Sequence, residues 1–202
     1  EGRGNIHPNS VKFEFGFIKY GFAWAFPLKE SVNIGIGTFI NNALLENEEL
    51  NNQVIKSFGF ECLPSKKIFR KLRIWNGFHK LNGDRVLAVG DAASLCDPFL
   101  AEGIRPSLIS SFYASQNIDQ YLSNKVNNLN NYSKKINNEW GKSMAWGKRI
   151  AQIFYRFPKT GYQFGIKRKT APKRIAQILS GDMSYEDIAK RVITRLLTKR
   201  EG

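Results

Sequence analysis

The stretch RVLAVGDAASLCDPFLAEGI, Arg85 to Ile104, holds the residues of this chain best suited to chemistry. Its apolar run Val86 to Val89 predicts a buried strand, which delivers Gly90-Asp91 at the strand's C-terminal end, where open α/β sheets bind nucleotides. A carboxylate there accepts hydrogen bonds from ribityl or ribose hydroxyls, and Ala92 and Ala93 keep the backbone approachable. After the Asp97-Pro98 loop, a helix beginning near Gly103 aims its free N–H groups at whatever occupies the crevice. Such a helix end favours negative charge by about 1 kcal/mol. The same spacing also fits Asp91 as a turn or helix cap and Gly103 as an ordinary helix start.

A second constellation lies upstream. Val11, Phe13, Phe15 and Phe17 alternate with the period of a half-buried strand. After Gly21, FAWAFP puts Phe22, Trp24 and Phe26 on one face and Ala23 and Ala25 on the other, and VNIGIGTF sets Val32, Ile34 and Ile36 opposite Asn33, Gly35 and Gly37. An antiparallel meander follows, with large aromatics beside a stripe lacking side chains. The competing reading of the aromatics is ordinary core packing under a sheet.

The elements that must position these groups are legible from periodicity and punctuation. Glu46 to Phe58 predicts a helix ended by Gly59, Lys67 to Trp75 a strand, and Asn82-Gly83-Asp84 a turn before the strand Val86 to Val89. A helix from about Glu102 to Leu122 comes next, then a polar connection over Asn124 to Asn131. Three helices complete the pattern: Tyr132 to Phe157, stopped by Pro158; Ala171 to Leu179, stopped by Gly181; and Tyr185 to Leu197, opened by Ser184 and Asp187 at capping-box spacing.

At 202 residues and 42% hydrophobic, the chain can bury a real core, and no apolar run is long enough to cross a membrane. Cys62 and Cys96, with only His7 and His79 as partners, make neither a disulfide framework nor a zinc site, so no metal is expected and a reducing, cytoplasmic setting is. Residues 141–202 hold 15 Lys+Arg against 4 Asp+Glu, a net +11 of the chain's +14, so any basic partner surface belongs there.

GDRVLAVGDAASLCDPFLAEGI resembles the second flavin-contacting motif of the p-hydroxybenzoate hydroxylase-like flavoproteins. FAWAFPLKESVNIGIG is similar to the aromatic-x-Trp-x-Phe-Pro signature of the geranylgeranyl reductase branch, as is the run from Trp140 through FYRFPKTGYQFGIKRKTAPKRIAQILSGD. The resemblance implies an α/β (α+β overall) fold with antiparallel substrate-domain strands over 1–79, a returning FAD-domain strand and helix over 80–123, and a helical extension over 132–202. It implies an FAD-dependent oxidoreductase that reduces isoprenoid double bonds with electrons from NADPH or a ferredoxin; a flavin monooxygenase or halogenase is the rival within the same fold. Carried onto this chain, Gly90 and Asp91 bind the ribityl and pyrophosphate region, Pro98 lies by the isoalloxazine, Gly103 and Ile104 offer N–H groups to N1 and O2, and Phe22, Trp24, Phe26, Gly35 and Gly37 line the lipid-side cavity. No catalytic acid is assigned, since Phe22 stands where Tyr is common. Ala101 replaces the usual first Gly of Gly-Glu-Gly, which narrows backbone freedom.

No Gly-x-Gly-x-x-Gly follows a strand anywhere in the chain, and the first residues are Glu-Gly-Arg rather than Met. The expectation is therefore the C-terminal half of a flavoenzyme, inactive alone. Two readings of the basic region remain. KRIAQILSGDMSYEDIAKRVITRL has the layout of a helix-turn-helix, but Glu186 and Asp187 in the second helix's first turn repel DNA, so no nucleic acid is expected. Trp140, Met144, Ile150, Phe154 and Phe157, interleaved with Lys142, Lys148, Arg149 and Arg156, suggest a peripheral membrane contact, against a helix packed on the domain with a solvated basic face.

Overall fold

A computed structural model describes residues 10–39, 47–60 and 68–198, so His7, Glu46, Cys62 and Lys67 lie outside the described residues. The chain divides into two compact units, Glu1–Phe69 with Phe154–Lys167, and Arg70–Ile153 with Arg168–Gly202.

The first unit contains the expected meander: β1 (Lys12–Phe15), β2 (Gly21–Pro27) and β3 (Val32–Thr38) form an antiparallel sheet in sequence order. Alternation sorts the two faces. Ala23 and Ala25, fully buried, join Val54 and Ile55 of helix α1 (Glu48–Ser57) and its C-cap Phe58 in the core, with Ile34 and Ile36 packed against it. The small alanines let the helix approach the sheet. The Asn47 side chain caps α1 by accepting from Leu50 N–H at 3.0 Å, so the helix starts at Glu48, two residues beyond the expected Glu46.

The predicted strand Lys67 to Trp75 is no sheet strand over its described part, from Ile68 on; in the second unit Ile74 makes an isolated parallel bridge to Cys96. Val86 to Val89 is likewise no sheet strand. Leu87 bridges Asn82, Ala88 N–H donates to Leu81 C=O at 2.8 Å, and Tyr132 Oη donates to Ala88 C=O at 2.7 Å. The other edge, Leu87 N–H and C=O and Val89 N–H, has no partner among the described residues. A strand needs a run of ladder pairs, and here there is a single bridge, Asn82 to Leu87. The returning strand expected from the sequence is thus present as an extended segment paired on one side only.

Gly90–Ala93 is a 3-10 turn, and the expected long helix is α2 (Ile104–Leu122). The next helix begins in the expected Asn-rich connection: α3 (Asn130–Ile136) passes through a π turn at Asn137–Gly141 into α4 (Lys142–Arg156). At Gly141 an added Cβ would stand 2.4 Å from the Phe78 ring, so the glycine lets this aromatic lie on the helix. Helix α5 (Pro158–Gly161) starts at Pro158 and runs into a second π turn, Tyr162–Ile166; α6 (Ala171–Ser180) and α7 (Tyr185–Thr198) follow. Gly181 ends α6 in the left-handed region, at φ 88°.

The loop before α2 is tied from within. Asp97, 4% exposed, accepts from the N–H groups of Phe99 at 2.7 Å and Leu100 at 2.8 Å and from Tyr185 Oη at 2.7 Å. Burial pushes its carboxyl pKa up while those donors pull it down. Asp97 N–H donates to Glu102 C=O at 2.8 Å and Ala101 N–H to Asp97 C=O at 3.0 Å, closing the loop on itself. Ala101 sits in the left-handed region, at φ 54°, where a Cβ costs about 1–2 kcal/mol.

Stability measurements test both features. Tyr185→Phe keeps the ring on Phe99 but removes the donor to Asp97, and urea denaturation at unchanged slope is expected to show a loss of about 1.5–3 kcal/mol. Ala101→Gly is expected to stabilise by about 0.5–1 kcal/mol, the relief of left-handed strain less the extra freedom glycine has in the unfolded chain.

Candidate functional site

Beside the Asp97 loop the second unit has an open cleft of about 450 Å3, lined by Leu72, Asp91, Cys96, Ala101, Gly103, Ile104, Ser107 and Leu108. That volume falls within the roughly 300–1,000 Å3 of small-molecule sites. Of the residues singled out for the cofactor, Asp91, Gly103 and Ile104 meet here. Gly90 lies beneath: it is buried, its φ is 52°, and an added Cβ would stand 2.4 Å from Ser107 Oγ. Its N–H donates to the buried Ser110 Oγ at 2.9 Å. Pro98 is buried within the loop and does not line the cleft.

Asp91 is exposed, and its carboxylate has no hydrogen-bond partner among the described residues. It reaches toward the helix start, since a Cβ added at Gly103 would lie 2.9 Å from Asp91 Oδ1. The α2 N-terminus is open on the same side. Arg105 N–H is taken by Glu102 Oε1 at 2.8 Å and Pro106 has no N–H, which leaves Gly103 and Ile104 N–H without a partner among the described residues. A hydroxyl-seeking carboxylate and an anion-seeking helix end therefore share one cleft, with Leu72, Ile104 and Leu108 as its apolar wall.

Cys96 lines this cleft as well, but its thiol is pushed up to about 12, first by burial and then by the Asp91, Asp97 and Glu102 carboxylates. It stays protonated and acts as a small filler rather than a nucleophile.

The sheet's own aromatics gather on the face opposite α1. Phe22 is buried and tilts against Phe15 and Trp24, whose centroids lie 5.7 Å away, and Phe154 meets Phe15 edge-on at 5.5 Å. Gly37 stands across from Phe22 and Gly35 across from Trp24. The stripe lacking side chains is filled at Gly35 from within the sheet: a Cβ there would fall 1.9 Å from the Trp24 ring, so the indole lies over the glycine, and Trp24 Nε1 donates to Asn33 Oδ1 at 3.1 Å. Trp24 and Phe26 remain half-buried, with surface left for a ligand.

The basic helices resolve differently. Trp140, Met144 and Phe154, expected on a lipid-facing stripe, are buried, so the helix runs as the packed alternative with its charges outward. Of that stripe only Phe157 is largely exposed, at 54%. Ser184 and Asp187 form the expected capping contacts, with Asp187 Oδ2 accepting from Ser184 N–H at 3.0 Å. Those hydrogen bonds hold the Asp187 carboxyl below its ordinary range, and Glu186 pairs with Lys190 at 2.9 Å, so the first turn of α7 is acidic and engaged.

Sequence reasoning missed Asp97 and Tyr185 as the pair that fixes the loop, and Ser107 and Ser110 as the floor beneath Gly90. An Asp directly before Pro, inside a loop that must reverse direction, was the available signal.

No family model and no solved structure matches the chain. Among curated proteins, an uncharacterized protein of Methanocaldococcus jannaschii is 27% identical over 146 residues, 67% of this chain and 35% of its own length. A digeranylgeranylglycerophospholipid reductase of Thermoplasma volcanium is 29% identical over 150 residues, 68% of this chain and 35% of its own. Digeranylgeranylglycerophospholipid reductase 2 of Methanopyrus kandleri is 22% identical over 194 residues, 89% of this chain and 48% of its own. The chain thus spans between 35% and 48% of the length of these relatives, and over that span it is similar to digeranylgeranylglycerophospholipid reductases.

Proposed function

We propose that these residues form the C-terminal portion of a flavin-dependent oxidoreductase that reduces the carbon-carbon double bonds of a geranylgeranyl-type lipid. The carrying observation is the cleft that joins the free Asp91 carboxylate to the open N-terminus of α2, in a chain similar to reductases named for such a lipid. The residues present fit the inner half of FAD. Asp91 suits the ribityl hydroxyls, Gly103 leaves room where a Cβ would crowd that carboxylate, and Gly103 and Ile104 N–H suit the N1 and O2 edge. FAD, when bound, supplies hydride. NADPH or a ferredoxin is the proposed electron source.

The ADP half of such a cofactor needs a glycine-rich strand-to-helix turn, which this sequence lacks. The unpaired edge at Leu87 and Val89 and the exposed Phe112 and Leu122 on α2 are what a neighbouring strand and helix of a preceding dinucleotide-binding half would cover. Titration separates the parts. The 202 residues alone are expected to bind FAD no tighter than micromolar, whereas the chain extended at its N-terminus to the length of the relatives retains flavin through purification. Submicromolar FAD binding by the short chain, or a colourless extended chain, contradicts the reading. In the extended chain Asp91→Ala is expected to strip the flavin, since the hydroxyls lose a charged acceptor worth about 1.5–3 kcal/mol.

The aromatic face addresses the substrate. An isolated alkene accepts hydride poorly, so proton delivery to one carbon leaves positive charge developing at the other. A ring face attracts such charge, Trp most strongly, by about 2 kcal/mol when desolvated. Trp24→Leu in the extended enzyme is therefore expected to lower turnover of a geranylgeranyl lipid at least about tenfold with flavin content unchanged. Loss of flavin would assign Trp24 to the fold alone, and undiminished turnover would reduce it to a cavity wall.

A further inference from the structure

From Gly141 to Gly181 the chain carries 10 Lys and Arg and no Asp or Glu. Its folding decides what that charge surrounds. Phe154 turns inward, against Phe15 and Tyr155, and Gly161 of α5 approaches it so closely that an added Cβ would stand 2.6 Å from the Phe154 ring. That packing uses the inner side of the α4–α5 junction and leaves the outer side bare. Phe157, the N-cap of α5 at φ −125° and ψ 66°, is 54% exposed, and Tyr162 is 45% exposed. Around them Arg156, Lys159 and Lys167 are exposed, and none has an ion pair among the described residues. Arg156 stands 6.0 Å from the Phe157 ring.

Exposed aromatics ringed by unpaired cations are the composition of a segment that rests in a headgroup layer, with rings at the acyl boundary and charges on the phosphates. We propose that the α4–α5 junction docks the protein on an anionic lipid bilayer, with Phe157 and Tyr162 entering the interface and Arg156, Lys159 and Lys167 held by its surface charge. The occupant is a membrane rather than a nucleic acid because the junction offers apolar rings at a helix break. The acidic first turn of α7, by contrast, disfavours the duplex contact that the helix-turn-helix layout would require. The inference rests on the lipid-reductase reading for its purpose, since a substrate resident in a bilayer must be reached there. It does not rest on it for its measurement.

Flotation of the 202-residue chain with vesicles needs neither flavin nor substrate, so its failure and the failure of the reductase reading are separable. The chain is expected to float with vesicles of phosphatidylglycerol and phosphatidylcholine, to do so less as salt rises, and to stay behind with phosphatidylcholine alone. Each cation at such a surface contributes about fivefold to partition, so Arg156→Gln with Lys159→Gln and Lys167→Gln is expected to lower it about a hundredfold. Arg156→Lys with Lys159→Arg and Lys167→Arg retains it, and Phe157→Ser with Tyr162→Ser weakens what remains at high salt. All these side chains are exposed, so thermal melting of each variant should match the parent. Equal recovery with neutral vesicles, indifference to the neutral triple variant, or displacement by a DNA duplex at equal phosphate concentration overturns the proposal.

Discussion

The buried Asp97 carboxylate is the interaction on which the second unit's cleft depends. A loop that must carry the chain from the Gly90 turn to the start of α2 has backbone donors to satisfy without a sheet or helix to do it. Asp97 takes the N–H groups of Phe99 and Leu100, and the remaining loop bonds, Asp97 to Glu102 and Ala101 to Asp97, follow from that fixed turn. The hydroxyl of Tyr185 adds a long-range tie from α7, a helix far along the chain. Tyr185 can come so close because Gly147 on α4 leaves room for its ring: a Cβ there would stand 2.7 Å away. The C-terminal helices are thus part of the cleft's support although none of their side chains lines it.

A comparable constraint governs the sheet. Small residues appear on both of its faces for different reasons. On one, Ala23 and Ala25 admit helix α1 to the core; on the other, Gly35 admits the Trp24 indole of the neighbouring strand. The aromatic face is therefore a wall whose rings brace each other at centroid separations of 5.5–6.3 Å, Trp24 being fixed further by Asn33. A wall assembled this way holds its rings in place without a ligand, as the proposed action of Trp24 on developing charge would require.

Much of this was readable in advance, and the divide is physical. Alternation of Phe22, Trp24 and Phe26 with Ala23 and Ala25 reports faces directly, because strand periodicity is a local property. Gly181 and the Ser184–Asp187 pair announced a helix end and a helix start through equally local chemistry. What was hidden depends on partners remote in sequence. The Val86 to Val89 run has strand composition, yet it finds only one bridge, to Asn82, too short a ladder to make it a sheet strand. The stripe Trp140, Met144 and Phe154 has the spacing of a lipid-facing helix, but periodicity marks an apolar face without saying whether protein or membrane covers it, and here protein does. Asp97 and Tyr185 are 88 residues apart, and nothing local links them.

The α2 N-terminus shows how an economical sequence disposes of its own donors. A helix leaves its first four N–H groups unpaired. In Ala101-Glu102-Gly103-Ile104-Arg105-Pro106, Glu102 takes the Arg105 N–H and Pro106 contributes none, so the open donors are those of Gly103 and Ile104, both of which line the cleft. Gly103 keeps their approach clear of a Cβ, and the Ala101 turn that aims them is held at φ 54° by Asp97 despite its strain. Neutral donors at a helix end stabilise an anion by about 1 kcal/mol, which for a two-electron couple is roughly 20 mV. On the proposed flavin reading such donors would adjust the potential only slightly, and their larger effect would be positional, turning one edge of the flat ligand toward the helix.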